Sequence, residues 1–187
     1  MQVLKELFKS LRFEEQEIDK ILACFKPGQL ERGEYFASEG KHSPWLAFIE
    51  KGVLQYFYNQ DGKEITTYVV GQNGFAASLL SFLQKRPAQE NIRAVTDAEL
   101  WLIHKNDFDK LKSSVPGFKD FYISILEHQI VCIDESRFSL LTQSAEERYT
   151  NLLEKEPQLL QQLPLQFLAS TLGITPRHLS RIRNKIR

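Results

Sequence analysis

The stretch FLASTLGITPRHLSRIRNKIR, residues 167–187, combines four arginines, a lysine and a histidine with no acidic residue. The whole chain, in contrast, has 24 basic and 24 acidic side chains and no formal net charge. A cationic end on a neutral chain suggests a local electrostatic footprint on a polyanion. The alternative is a basic C-terminal helix that only complements the helix dipole.

Two short helical patterns occupy this end of the chain, Leu165–Leu172 and Thr175–Ile186, with Gly173-Ile174 between them. Gly173 suits the left-handed position that follows a helix C-terminus. Thr175 can cap the second helix, and Pro176 fits its first position because proline has no amide proton to lose there. Together these signals predict a helix-turn-helix.

The second of these helices has two chemically different sides when its residues are placed about 100° apart. Leu179, Ile182 and Ile186 fall within one narrow arc, which we expect to be buried. The opposite arc holds side chains that can read bases, namely Arg177, Ser180, Arg181 and Asn184. The edges of that polar face hold His178, Arg183, Lys185 and Arg187.

Such a division suits insertion into the major groove of DNA. Arginine can donate two hydrogen bonds to guanine, and asparagine can pair with adenine. Cations at the edges of the face can neutralise phosphates. A solvated amphipathic surface helix is the alternative, but the glycine, the Thr-Pro pair and the small Ala169 at the helix crossing favour DNA binding.

Residues 28–104 have the pattern of a small all-β unit, preceded by helical spacing in residues 1–26. Short apolar or alternating runs are separated by turn signals, among them Pro27-Gly28, which ends the first helical pattern. The segment NQDGKE, residues 59–64, lies between two strand-like runs and predicts a hairpin. Several strands at this spacing suggest a barrel or jelly roll.

A long helix is predicted from about Phe118 to Thr142, because this segment contains neither proline nor glycine. A helix of ~25 residues would be ~37 Å long. It must cross the whole molecule or pair with a partner, and we favour pairing at a two-fold dimer axis over packing along its own barrel. Ser144 and Glu147 have the spacing of a capping box and start the next helix.

These patterns predict an α+β protein in three parts. Residues 1–115 form a β-roll sensor domain of jelly-roll type with its N-terminal helix. Residues 116–142 form a long connecting dimerisation helix, and residues 143–187 form an all-α helix-turn-helix DNA-binding domain.

Composition narrows the class of protein. A hydrophobic content of 42% with 11% aromatic residues supports a packed core and argues against disorder. No run approaches the ~20 apolar residues that span a bilayer, and the N-terminus lacks a signal peptide's apolar run. We therefore expect a cytoplasmic protein with no membrane partner. Cys24 and Cys132 lie far apart and predict neither a disulfide framework nor a metal site.

The order of β-roll, long helix and C-terminal helix-turn-helix resembles the Crp/Fnr superfamily of bacterial transcription regulators. The segment AEERYTNLLEKEPQLLQQLPLQFLASTLGITPRHLSRIRNK is especially similar to the branch common in Bacteroidetes. The resemblance covers nearly the whole chain. It implies a cyclic-nucleotide-binding-like roll and a cytoplasmic homodimer whose recognition helices enter successive major grooves of a palindromic site, ~34 Å apart. It also implies RNA polymerase as a further partner.

The resemblance also suggests roles for residues of the recognition helix. Thr175, Arg177, Ser180 and Arg181 match the positions with which the family contacts DNA, and Pro176 stands where relatives often have arginine. With the edge cations, the predicted DNA-binding set is Thr175, Pro176, Arg177, Ser180, Arg181, Arg183, Asn184 and Lys185.

The roll departs from the cyclic-nucleotide binders of the family. These have Gly-Glu for the ribose hydroxyl and Arg-Ser for the cyclic phosphate. An ungapped match of residues 74–100 puts Ala77-Ser78 and Ala88-Gln89 at those places. Because an arginine–phosphate contact is among the strongest available to such a ligand, we do not expect cyclic AMP as effector. We expect no cofactor and no metal, and an unidentified small-molecule effector stays open. Candidate pocket residues are Tyr68, Ser78, Arg86 and Gln89.

Three functions can be compared. A dimeric, sequence-specific transcription regulator is the preferred interpretation. A small-molecule-binding β-roll module with a vestigial DNA-binding domain is the alternative, although the intact polar face argues against decay. A metal-dependent enzyme of the cupin type would need a compact His/Glu ligand set, which residues 28–104 do not provide. No nucleophile–base pair is evident either, so we expect a protein that is not an enzyme.

Overall fold

A computed structural model describes residues 1–186, and Arg187, which the helical wheel places beside the polar face, lies outside them. The strands are β1 (Lys26–Leu30), β2 (Tyr35–Ala37), β3 (Trp45–Lys51), β4 (Leu54–Gln60), β5 (Lys63–Val70), β6 (Phe75–Ala76), β7 (Asn91–Ala94) and β8 (Ala98–His104). The helices are α1 (Gln2–Ser10), α2 (Glu15–Leu22), α3 (Leu79–Gln84), α4 (Lys105–Ser114), α5 (Phe118–Thr142), α6 (Ala145–Lys155), α7 (Pro157–Gln162), α8 (Leu165–Thr171) and α9 (Pro176–Ile186).

The strands form two four-stranded sheets with the orders β1-β8-β3-β6 and β2-β7-β4-β5, and the pairings within them are antiparallel. Side chains that alternate towards the space between the sheets fill it with small and branched residues. Among the buried members of this core are Ala47, Ile49, Leu54, Ile92 and Leu100. The predicted α+β fold with a β-roll is confirmed.

The predicted hairpin is present between β4 and β5. Gln60 pairs with Lys63, so Asp61 and Gly62 are the two turn residues. Both have positive φ, 51° and 77°. A two-residue turn with this backbone matches the twist of the flanking strands, and Asp-Gly is a favoured sequence for it.

The Pro27-Gly28 pair is not the turn that the sequence suggests. Both residues lie in β1, which pairs with β8 at the edge of its sheet. An edge strand tolerates proline because one row of its amides needs no strand partner. A Cβ on Gly28 would lie 2.7 Å from Cδ1 of Leu102, so a larger residue at this position would displace that side chain.

The helical pattern of residues 1–26 is divided into α1 and α2. The break falls at Arg12, whose φ of 64° is incompatible with a continuous helix. Both helices pack with α4 and the start of α5 in an aromatic cluster, defined by Phe8, Phe108, Phe118 and Phe121. Ring centroids lie 5.0 Å apart for Phe8–Phe121 and 5.1 Å apart for Phe108–Phe118, in edge-on geometry.

The long helix α5 spans 25 residues, as the sequence predicts. Its buried residues are Phe118 and Phe121, both in the first turn. Further along, large apolar side chains are exposed on one line of the helix, which we call the α5 stripe: Ile123, Ile130, Phe138 and Leu141. Within residues 1–186, no helix combines the length and apolarity needed to cross a membrane.

The C-terminal helices pack against the roll of their own chain. Their core includes Leu168 and Leu179 and continues into Val53, Val69 and Val95 of the roll. Helix α8 lies on β5, an edge strand, where the Thr66 N–H donates a hydrogen bond to Ser170 Oγ at 2.9 Å. Helix α8 therefore supplies a hydrogen-bond acceptor to an amide on a sheet edge.

Two glycines at turns allow a matched test of backbone packing. Gly52 and Gly62 both have positive φ, 100° and 77°, which costs a residue with a Cβ about 1–2 kcal/mol. A Cβ on Gly52 would also lie 2.6 Å from the Asp97 carbonyl oxygen, whereas one on Gly62 meets nothing within 4 Å. We expect Gly52→Ala to lower the urea unfolding midpoint clearly more than Gly62→Ala, and equal losses would contradict the packing described here.

Candidate nucleic-acid interface and a cavity beside the roll

The turn between α8 and α9 has the geometry that its sequence predicts. Gly173 adopts a φ of 68°, and its N–H donates to the Ser170 carbonyl at 2.9 Å. The next amide, of Ile174, donates to the Ala169 carbonyl at 2.9 Å, which closes the helix end. The His178 N–H donates to Thr175 Oγ1 at 3.2 Å, so Thr175 caps the following helix.

One side of α9 is fixed in the core of the helix-turn-helix. Leu179 is fully buried and Ile182 nearly so, against Leu168, Ala169 and Leu172. Ile186, which the wheel places on the same buried arc, is instead 38% exposed.

The opposite side of α9 presents its polar groups to solvent. Arg177, Arg181, Arg183 and Asn184 are exposed. Within residues 1–186 none of the three arginines forms an ion pair. Ser180 is half-buried, and its hydroxyl donates to the Pro176 carbonyl at 3.0 Å. Exposed cations free of internal partners are available to an anion such as a DNA phosphate.

Two other residues of the predicted DNA-binding set have different surroundings. Lys185 Nζ contacts both carboxylate oxygens of Glu146 on α6, at 2.8 and 2.9 Å. Both side chains are exposed, so the pair is weak and can exchange for a phosphate. Pro176 is the exposed first residue of α9.

Sequence reasoning does not identify Arg148 on α6. Its guanidinium donates to the carbonyls of Gln143 at 2.5 Å and Leu172 at 2.7 Å. It thereby joins the end of α5 and the end of α8. Because both acceptors are backbone atoms, no side-chain pattern in the sequence could reveal these contacts.

A cavity of about 410 Å³ lies between the roll and α5. The roll supplies Leu46, Tyr56, Thr67, Tyr68, Phe75, Ala77, Leu79 and Glu90, and α5 supplies Ile125, Leu126, Gln129, Cys132, Ile133, Ser136, Arg137 and Leu140. The Tyr56 hydroxyl is hydrogen-bonded to the backbone of its own chain. It accepts from the Ala77 N–H at 3.0 Å and donates to the Ala77 carbonyl at 3.3 Å. Its burial raises the pKa of Tyr56 far above the ordinary value.

The candidate pocket residues predicted from the sequence do not all line the cavity. Tyr68 lines the cavity. Ser78 lies off the cavity wall, fully buried, and its hydroxyl has no hydrogen-bond partner within the described part of the chain. Arg86 and Gln89 are exposed and do not line the cavity.

Two charged groups line the cavity, and sequence reasoning misses both. Glu90 is half-buried, burial raises the pKa of its carboxyl, and no side-chain hydrogen bond or ion pair to it is found within residues 1–186. Arg137 is 74% exposed and pairs with Asp134 at 2.8 Å. The described residues contain no cluster of three or more histidine, cysteine or acidic side chains placed to hold a metal ion.

Residues 27–114 match the family described as the cyclic nucleotide-binding domain. The matched segment is similar to that family and comprises the β-roll with α3 and α4. A search of curated proteins finds no match to the sequence.

Solved structures share the fold over nearly the whole chain. FixK2 from Bradyrhizobium japonicum is 15% identical with a TM-score of 0.75, covering 87% of this chain and 84% of its own. The c-di-GMP responsive global regulator CLP from Xanthomonas campestris is 17% identical, with a TM-score of 0.70 and coverage of 92% and 91%. A Crp/Fnr-family transcriptional regulator from Eubacterium rectale is 15% identical, with a TM-score of 0.69 and coverage of 93% and 83%. The resemblance to the Crp/Fnr superfamily is thereby confirmed in the fold.

The contacts of Arg148 predict a structural role. We expect Arg148→Ala to destabilise the protein by about 1–3 kcal/mol, because two carbonyls lose a charge-assisted hydrogen bond. Arg183→Ala is the matched control, since this exposed arginine should change stability by less than about 0.5 kcal/mol. Urea unfolding of both variants measures the difference, and equal stability of the two would disprove the role.

Proposed function

We propose that this protein is a transcription regulator that binds double-stranded DNA sequence-specifically as a homodimer in the cytoplasm. The observation that supports this most directly is the division of α9. Leu179 and Ile182 fix the helix in the core, while Arg177, Arg181 and Asn184 face solvent. A helix held by its apolar side and offering donors on the other suits the major groove.

The residues of α9 divide between two kinds of contact in this proposal. Arg177, Ser180, Arg181 and Asn184 approach base edges, where a bidentate arginine or asparagine distinguishes one base from another. Arg183 and Lys185 approach phosphates, with Lys185 exchanging Glu146 for DNA. Thr175 and Pro176, at the N-terminus of the helix, lie at the end that enters the groove first.

The homodimer is supported by the α5 stripe. Ile130, Phe138 and Leu141 are 65%, 62% and 79% exposed in the single chain. Exposed apolar residues that recur on one side of a helix favour pairing with a second helix, because pairing removes them from water. A second copy brings an identical stripe, and the resulting two-fold symmetry matches a palindromic DNA site.

The neighbours of known structure support this function by analogy, since Crp/Fnr-family regulators have the same fold. On the same analogy, RNA polymerase is a partner in transcription, and the protein is not an enzyme. Cyclic AMP is not part of the proposal. Ala88, at the place of the phosphate-binding arginine, is buried and has no charge to offer.

Replacement of one reading residue tests the DNA proposal. A random-duplex selection should return a preferred sequence, to which Arg181→Ala binds about 1–3 kcal/mol more weakly if the arginine contacts guanine. Arg32→Ala removes an exposed cation from the roll and serves as the matched control. Electrophoretic mobility shifts at several salt concentrations give both affinities. Absence of any preferred duplex would refute sequence-specific binding and favour the alternative, a ligand-binding roll with a vestigial helix-turn-helix.

A charge placed in the α5 stripe tests the dimer. Ile130→Glu should convert the dimer into a monomer of 21.7 kDa, because each partner would have to bury an unpaired carboxylate. Leu83→Glu, at an exposed leucine on α3, should leave the dimer intact. Sedimentation equilibrium distinguishes the two results, and a monomeric wild-type protein would exclude the homodimer.

A further inference from the structure

We propose that the cavity between the roll and α5 binds a small apolar molecule that carries a hydrogen-bond donor, an amine or a hydroxyl, and no anionic group. This ligand class differs from the anionic nucleotides after which the domain family is named. Its regulatory meaning rests on the proposed function, but binding itself can be measured without DNA.

Size and surface define the body of the ligand. A volume of about 410 Å³ lies within the range of ligand pockets in proteins. Most of the lining is apolar or aromatic, with Tyr68 and Phe75 from the roll facing Ile125 and Ile133 from α5. A ligand gains most by placing an apolar body there, because the contact removes apolar surface from water.

Glu90 defines the polar end of the ligand. It is a half-buried carboxyl on the cavity wall, without a hydrogen-bond or ion-pair partner among residues 1–186. Partial burial removes hydrogen bonds between the carboxyl and water. A donor on the ligand replaces them and so stabilises the complex. Aromatic rings in the same lining, those of Tyr68 and Phe75, also favour a cation. A donor on the ligand therefore has a specific partner.

An anionic group would find no comparable partner. Arg137 is the basic residue of the lining in the described chain, but its side chain is 74% exposed, so water screens its charge more than that of the half-buried Glu90. The Tyr56 hydroxyl is engaged with the Ala77 backbone. An anion would instead approach the carboxyl of Glu90, and charges of like sign repel strongly where water is partly excluded.

A bound ligand would also act on α5. Ile133 and Leu140 line the cavity and are exposed, so a ligand would cover them and hold the helix against the roll. Their neighbours Ile130 and Leu141 belong to the α5 stripe. Ligand binding and dimer geometry are thereby connected through one helix.

Three probes with one apolar body separate the ligand classes: naphthylethylamine, naphthylethanol and naphthylacetate. Ligand-observed NMR titrations of the full chain should give dissociation constants of about 0.1–1 mM for the amine and the alcohol, as expected for fragment-sized ligands. The acetate should bind at least about tenfold more weakly because it faces Glu90. Cyclic AMP, added at the same concentrations, should not bind.

Variants of cavity residues test whether the probes bind in the cavity. Glu90→Gln should weaken the amine about tenfold and strengthen the acetate, because the negative charge is removed. Glu154→Gln, at an exposed carboxyl on α6, should change neither. Ser136→Phe fills the cavity from an exposed position of α5, where folding tolerates the change, and should weaken the amine and the alcohol at least tenfold.

Several results would overturn the proposal: acetate or cyclic AMP binding as tightly as the amine, amine binding that Ser136→Phe leaves unchanged, or no probe binding to either the wild-type protein or Ile130→Glu. The Arg181→Ala protein separates this proposal from the function, because it should lose DNA affinity and keep amine binding. A wild-type protein that binds the amine and prefers no duplex would refute the DNA-binding function alone.

Discussion

The aromatic cluster fixes the direction in which α5 leaves the roll. Phe118 and Phe121 pack edge-on against Phe8 and Phe108, and these contacts bury the first turn of the helix. A hydrogen-bonded helix is stiff, so the orientation of its first turn determines where later turns lie. The cavity and the α5 stripe both follow from that orientation. The helix runs beside the roll, leaves a gap that forms the cavity, and then extends into solvent.

Successive parts of the chain transmit this orientation to the helix-turn-helix. The capping box of Ser144 and Glu147 begins α6 directly after α5, and Arg148 then binds carbonyls at the ends of α5 and α8. A displacement of α5 therefore has a route to α9 through hydrogen bonds rather than through a flexible linker. Helix α9 and the cavity wall are therefore parts of one connected framework.

Local patterns in the sequence were sufficient for much of this structure. The α5 bounds, the Asp61-Gly62 hairpin and the Gly173 turn depend on nearby residues, so the sequence could predict them. Pro27-Gly28 misleads because its strand is formed by a partner, β8, that lies more than seventy positions along the chain.

Features that depend on contacts between distant residues could not be predicted from the sequence. Arg148 binds only backbone carbonyls, and Glu90 becomes notable only when folding places it on a cavity wall. Ile186 follows the helical period yet is partly exposed, since periodicity gives direction and not the extent of the neighbouring helix. The roles of the α9 residues in DNA binding stay predictions.

The hydrogen bond from Thr66 to Ser170 can form only late in the synthesis of the protein. β5 is an edge strand, and a bare sheet edge can template the addition of a strand from another chain. Synthesis proceeds from the N-terminus, so Thr66 of β5 is made about a hundred residues before Ser170 emerges to cover this edge. The charged side chains of the strand, Lys63 and Glu64 at its start, are then its protection against aggregation until α8 arrives.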